Sequence, residues 1–260
     1  MAWLRGLSNI GGVISFQCNS SIVQHRFCAN SCYSIKQCHF SYCFLNQNSD
    51  KLNYLIDGSV SSCGDDSHTT LDRHSFGRII LSQSNYSKNK ASYYSAFFLY
   101  ENIDQVKVNY TNIERNNATK YICIGIVGSD NISVESCNIL SNWQKSSEYG
   151  TIYSGSPIIF DNCCVFNDLG NGKIFHLMDS NSIIRHCKFD NESLGTFYTT
   201  VLNEFVNSSD LQSSYKNENN KYITNHECEI QENEFFLAFE NIQLISSIMS
   251  SLINPIPTKS

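Results

Sequence analysis

Two places in the chain gather residue types that do chemistry. The first is Cys63-Gly-Asp-Asp-Ser-His68, where an acidic pair, Asp65 and Asp66, stands beside a histidine. Paired carboxylates supply acid and base in glycoside hydrolysis. Such a site would also need a basic residue in the same groove, and Arg73 and Arg78 are the nearest candidates. The competing reading is a solvated loop with a turn-forming Gly-Asp, and it is the one the segment favours. The second place is residues 18–43, which hold Cys18, Cys28, Cys32, Cys38 and Cys43 with His25 and His39 among them. Structural zinc prefers close pairs such as C-x-x-C, whereas the spacings here are Cys28-x3-Cys32 and Cys38-x4-Cys43. Two readings stay open for these thiols: disulfides in a secreted protein, or reduced cysteines used as small core residues.

The elements that must position these groups announce themselves as a repeat. Val106-x-Val108-x-x-Thr111-Asn112-Ile113-x-x-Asn116 returns as a second copy, Ile132-x-Val134-x-x-Cys137-Asn138-Ile139-x-x-Asn142. Alternating apolar residues mark a short strand with one buried face. Taking the apolar residue after the turn as reference, the frame runs Val60, Tyr86, Ile113, Ile139, Val165, Phe189 at nearly equal steps. Two places earlier stand slim residues: Gly58, Ser84, Thr111, Cys137, Cys163 and Cys187. Three places later stand Asn89, Asn116 and Asn142. Phe40 and Ile230 read as outlying copies, and an insertion over 204–220 separates the last from the rest.

A repeat of this length with β-branched pairs and no helical period specifies an all-β chain: a single right-handed parallel β-helix with coils of about 24–27 residues. Stacking at about 4.8 Å per strand makes eight or so coils a rod roughly 40 Å long. Equivalent side chains then form ladders, with Cys, Thr or Ser turned inward near a corner and Asn bridging to stacked neighbours. A leucine-rich repeat fails, because Leu is not the recurring residue and no helical segment separates the strands. The repeat domain is expected over 1–235, with 236–260 as a terminal coil or cap and tail.

Tyr86-Ser-Lys-Asn89, Ile113-Glu-Arg-Asn116, Ile139-Leu-Ser-Asn142 and Ile230-Gln-Glu-Asn233 are similar to the Phe-x-x-Asn half of the repeat in chlamydial polymorphic outer membrane proteins. Gly11-Gly12-Val13-Ile14 resembles the other half, Gly-Gly-Ala-Ile, and Tyr149-Gly-Thr-Ile-Tyr153 is a degraded version of it. Similar repeats occur in surface-protein families of parasitic protists. The resemblance implies a right-handed parallel β-helix of the pectin-lyase-like kind, display at the cell surface and an adhesin role. The polygalacturonase-like hydrolases that share this fold carry Asn-x-Asp, Asp-Asp, Gly-His-Gly and Arg-x-Lys on neighbouring coils. Of these the Asp-Asp is present here, while Gly-His-Gly and Arg-x-Lys are absent.

Composition narrows the partners. A net charge of −6 with 16% charged residues offers no basic stripe for nucleic acid. About thirty Asn and only 3 Pro suit polar turns and stacked ladders. Residues 1–16 do not read as a signal peptide, so the chain is expected to be cytosolic or a piece of a longer protein. The apolar tail 235–254 is interrupted by Glu240, Asn241 and Gln243 and is no membrane span. Residues 92–100 and 121–128 read as core faces and not as an aromatic binding platform. Among seven N-x-S/T sequons, at Asn19, Asn85, Asn109, Asn117, Asn131, Asn191 and Asn207, those at Asn109, Asn117 and Asn207 are expected to be reachable for glycosylation.

The functional expectation is therefore non-enzymatic: a surface or secreted rod that binds a host-cell protein or glycan through extended contacts, with no cofactor, no metal and no catalytic residue. The alternatives are a polysaccharide hydrolase or lyase centred on Asp65, Asp66 and His68, and a truncated repeat-family member acting as an intracellular scaffold.

Overall fold

The computed structural model describes residues 13–34, 38–46, 50–67, 70–100, 105–128, 131–145, 149–166, 173–179, 181–189, 195–196 and 200–205. The boundary at 235 and the tail 236–260 lie outside them, as do Ile230 and residues 206–220.

Six successive coils carry three main strands each, and short strands Lys90–Ala91, Asn117–Ala118 and Trp143–Gln144 of three of them form a small three-stranded sheet. The main strands are Ile14–Cys18, Ile22–His25 and Cys28–Asn30; Cys38–Leu45, Leu52–Ile56 and Ser59–Ser61; Thr70–Ser75, Arg78–Ser82 and Asn85–Ser87; Tyr94–Tyr100, Val106–Asn109 and Asn112–Glu114; Ile122–Val127, Ile132–Glu135 and Asn138–Leu140; and Ile152–Ser154, Ile158–Asp161 and Cys164–Phe166. A seventh coil follows with Phe175–Leu177 and the long strand Ile183–Phe189, and then come Gly195–Thr196 and Thr200–Phe205. Each strand pairs in parallel with its counterpart one coil away, so the chain is a parallel β-solenoid. The first strands stack into an eight-stranded sheet. The second and third faces join into one fourteen-stranded sheet because Ile183–Phe189 runs unbroken through both.

The corner between second and third faces is made the same way in every coil. One non-glycine residue takes a left-handed backbone there: Arg26, Asp57, Gln83, Tyr110, Ser136, Asn162 and His186, all with φ between 52° and 56° except Gln83 and Tyr110 at 50°. Left-handed backbone is unfavourable for residues bearing a Cβ, and the next coil holds it. The amide of Gln83 donates to the Asn109 carbonyl at 3.1 Å, that of Tyr110 to Glu135 at 3.2 Å, and that of Ser136 to Asp161 at 3.0 Å.

Three inward ladders fill the solenoid. On the third face Ala29, Val60, Tyr86, Ile113, Ile139, Val165 and Phe189 stand opposite one another in register. The rung before Val60 is thus Ala29, not Phe40. Phe40 belongs to the first sheet, where it stacks on Phe27 with ring centroids 5.6 Å apart. Phe27 occupies the otherwise slim corner position of its coil, and Gly58 answers it one coil on: a Cβ at Gly58 would lie 2.0 Å from the Phe27 ring. The step from Ala29 to Val60 is longer than those that follow, which hides this rung from a search at a near-constant period.

The second ladder is asparagine. Asn89, Asn116 and Asn142 are buried, and each amide nitrogen donates to a carbonyl of the previous coil, at Val60, Tyr86 and Ile113, at 2.9 Å. The Asn116 side-chain oxygen accepts from the Asn89 backbone and side chain, both at 3.0 Å, and Asn142 serves Asn116 likewise. Cys63 and Cys32 continue the column, and the Cys32 amide reaches the Cys63 sulfur at 3.2 Å. The third ladder is the slim corner residue. Thiols at Cys137, Cys163 and Cys187 donate to the carbonyl two residues back, at 3.3, 3.3 and 3.1 Å, as the Thr111 hydroxyl does at 3.0 Å. Cysteine here acts as a slim hydroxyl substitute that tolerates a dry core. Nine cysteines, Cys32, Cys38, Cys43, Cys63, Cys123, Cys137, Cys163, Cys164 and Cys187, are buried thiols outside any disulfide, and Cys28 is disulfide-bonded.

Candidate functional site

The acidic pair meets a buried histidine, a serine and a lysine, with His39 Nε2 3.7 Å from Asp65 Oδ1. Asp65 folds back on Ser67, accepting from its amide at 2.8 Å, while Asp66 meets Lys90 of the next coil at 2.6 Å. Arg73 stands on the outer face of the first sheet against aromatic rings. His68 lies outside the described residues. Among the described residues no three His, Cys, Asp or Glu side chains come together in a way that could hold a metal ion, and no helix is long and apolar enough to cross a membrane.

The titratable cluster that the fold does build lies elsewhere. Strand Thr70–Ser75 turns Asp72 and His74 into the core, both at 0% exposure. His74 Nε2 is 2.9 Å from Asp72 Oδ1, and its Nδ1 is 2.6 Å from Asn53 Oδ1. Tyr86 reaches across the coil from the third face and donates to Asp72 Oδ2 at 2.6 Å. Both ring nitrogens of His74 thus face acceptor oxygens, which favours the doubly protonated imidazolium. Burial pulls the His74 pKa down, but the Asp72 carboxylate and Cys43 outweigh it and push it up to about 10. Burial, then Asp72, holds the Tyr86 phenol well above its ordinary value. With no exposure to solvent, this cluster is a polar keystone of the core. Sequence reading missed it because Asp72-x-His74 sits where a charged pair ordinarily faces water. The usable signal was the alternation itself, with Asp72 and His74 in phase and Arg73 out of phase.

The outer face of the first sheet differs from the expected core reading of residues 92–100. Phe97 and Leu99 are buried, but Tyr93, Tyr94, Phe98 and Tyr100 are only half-buried and lie on the outside. In register, one outer row reads Tyr42, Arg73, Phe98, Gly125, Tyr153, His176. The Arg73 guanidinium lies 5.9, 5.4 and 5.4 Å from the rings of Tyr42, Phe98 and Tyr100. Gly125 is required by this row: a Cβ there would come within 2.4 Å of the Tyr94 ring, which stacks on Phe98 with centroids 4.2 Å apart. Tyr153 stacks on His176 at 5.6 Å. Beside this row Tyr93, Tyr121 and Tyr149 form a second column, stacked at 4.7 and 4.9 Å. Burial, followed by the nearby phenols of Tyr153, Tyr121 and Tyr149, pushes the Tyr94 pKa up to about 12.

The second face is different in kind, with Lys107 meeting Glu135 at 2.9 Å and Arg185 meeting Asp161 at 2.8 Å. Of the sequons named above, Asn109 and Asn117 sit half-buried in strands with their side-chain oxygens buried, because the strands on either side cover them. Among the described sequons Asn19 and Asn131 are exposed, and Asn191 and Asn207 lie outside the described residues. No family model matches the chain, and neither does a curated protein or a solved structure.

Proposed function

We propose that the chain is a non-enzymatic, adhesin-like binding rod that meets a host-cell protein or glycan outside the cell, through the outer face of its first sheet. The aromatic row from Tyr42 to His176 carries this reading. Tyr, Phe and Arg are the residue types enriched where proteins bind partners, and here they run along successive coils as one band. Contacts repeated along a rod add through effective concentration and need no deep pocket. The resemblance of the Ile-x-x-Asn stretches to repeats of polymorphic outer membrane proteins and protist surface proteins points the same way. The alternative reading as a polysaccharide hydrolase or lyase draws no support from Asp65 and Asp66, which are engaged with Ser67 and Lys90.

Two measurements test the proposal. Tagged chain on intact source cells should be degraded by added protease, and a protected chain overturns external display. Labelled chain should be retained on contacting cells and lose at least tenfold in retention on Phe98→Glu/Tyr153→Glu, while Lys107→Ala/Glu135→Ala on the second face binds as wild type. Equal retention of both variants overturns the assignment of the face.

A further inference from the structure

Arg73 keeps different company from Arg26, Arg115 and Arg185. Those three each meet a carboxylate, at Asp57, Glu114 and Asp161. Among the described residues no carboxylate reaches Arg73, and aromatic rings surround it instead. The sheet it stands on does not compete for its charge: in the strands from Cys38–Leu45 to Phe175–Leu177, no partly exposed position carries Asp or Glu.

The local geometry shows what the guanidinium still has to give. Strand Thr70–Ser75 turns Asp72 and His74 inward, so Arg73 between them points out of the sheet. Tyr42 flanks its guanidinium from the preceding coil, and Phe98 and Tyr100 flank it from the following one. Its Nε donates to Ser75 Oγ at 3.3 Å. The two terminal nitrogens have no hydrogen-bond partner among the described residues, and neither is among the nitrogens shut away from solvent. A guanidinium carries five N–H donors and no acceptor, so most of its donors are left for something outside the chain. The rings and Ser75 already hold it in place, and little side-chain freedom remains to be lost on binding. A planar fork held this way fits a carboxylate, two N–H groups against two oxygens.

The rings narrow the source of that carboxylate. A sugar stacks on open ring faces, but here the faces of Tyr42, Phe98 and Tyr100 are turned on the guanidinium, and Phe98 also stacks with Tyr94 at 4.2 Å. What adjoins the fork is apolar ring surface, which suits an acidic side chain set among apolar residues of a protein. With a net charge of −6 on the chain, the attraction is one of contact and not of long-range steering.

We propose that Arg73 is the anchor of the first-sheet face and takes an Asp or Glu carboxylate of a protein partner in a two-pronged hydrogen bond, with Tyr42, Phe98 and Tyr100 covering the apolar residues around it. The assignment rests on the reading of this face as the binding face and names the chemistry of its partner.

The test uses labelled full-length chain on contacting cells. Arg73→Met keeps an apolar stem and loses the fork; Arg73→Lys keeps the charge and loses the planar geometry. Both should keep the wild-type melting temperature within a few degrees and lose at least tenfold in retention. Amidating the carboxylates of the target cells with carbodiimide and glycinamide should cost the wild type at least tenfold and leave the residual retention of Arg73→Met unchanged, a pattern that a merely structural role of Arg73 would not produce. Protease treatment of the target cells should abolish retention, and sialidase treatment should not. Retention of Arg73→Lys and Arg73→Met at the wild-type level, or full retention on amidated cells, overturns the anchor. Loss on sialidase treatment alone assigns the carboxylate to a sugar and overturns the protein partner. The failure of the face is distinguishable: if Phe98→Glu/Tyr153→Glu is retained as wild type, the face itself is wrong, whereas loss there with intact retention of both Arg73 variants leaves the face standing without this anchor.

Discussion

Asp72 is the residue whose removal the fold should tolerate least. It is fully buried and shared by His74, at 2.9 Å, and Tyr86, at 2.6 Å. Asp72→Leu would leave an imidazolium and a phenol in the dry core with no anion between them. Breaking a buried pair from one side costs about 3–5 kcal/mol. At about 2–4 °C per kcal/mol for a chain of this size, the melting temperature should fall by roughly 6–20 °C. The triple replacement Asp72→Leu/His74→Met/Tyr86→Phe removes every charge at once and should recover most of that loss, since apolar isosteres often match a buried pair. The pH dependence gives an independent readout. The His74 pKa is raised from 6.5 to about 10 in the folded chain, so its stabilisation is fully present below pH 6.5 and disappears as pH rises through 10. At about 1.36 kcal/mol per unit this is on the order of 4–5 kcal/mol. Chemical denaturation at pH 6, 8 and 10 should show the wild type losing stability across that interval, with a markedly flatter profile in the triple variant. Wild-type stability in Asp72→Leu, or parallel pH profiles for wild type and triple variant, would refute the keystone role.

Asn116→Ala should cost about 3–5 kcal/mol, because it strips the Asn89 amide and the Tyr86 carbonyl of their partners at 3.0 and 2.9 Å and each buried orphan costs about 1–3 kcal/mol; equilibrium unfolding in urea reads this. Ile139→Asp sets a carboxylate between Ile113 and Val165 in a fully buried ladder. It should destabilise by several kcal/mol, and an unchanged melting curve would reject the alignment of coils. The Cys137, Cys163 and Cys187 thiols, buried and with the Cys163 pKa pushed up first by burial, should resist a thiol reagent at pH 8 until the chain unfolds; labelling of the native chain followed by mass spectrometry decides it.

Much of this architecture is readable from residue spacing. Val106-x-Val108 and Ile132-x-Val134 reveal strands because alternation in a half-buried sheet is imposed by geometry, and the Asn89, Asn116 and Asn142 column is visible because each amide must meet the one above. What could not be read follows equally physical rules. Gln83, Tyr110 and Ser136 turn left-handed corners without glycine, since the strain is offset by a bond from the adjoining coil and no local residue type reports it. Tyr86 looks like one more ladder hydrophobe, while its hydroxyl answers to Asp72, which is distant in the motif. Tyr94 and Phe98 share a strand with Phe97 and Leu99, so an all-aromatic run reads as core although half of it faces out. The candidate binding face was accordingly the least legible part.

The bonds from the left-handed corner residues all run one way. The Gln83, Tyr110 and Ser136 amides donate to carbonyls of the coil that follows in the chain, and so does the backbone of Asn89 toward Asn116. Each corner is therefore incomplete until the next coil has been laid down. A chain emerging from the ribosome would build behind itself, one coil in arrears, with the newest turn always the frayed one. Assembly of this kind resembles growth of a filament from a polar end, with completed rungs locked by the next and the register copied forward rather than searched for.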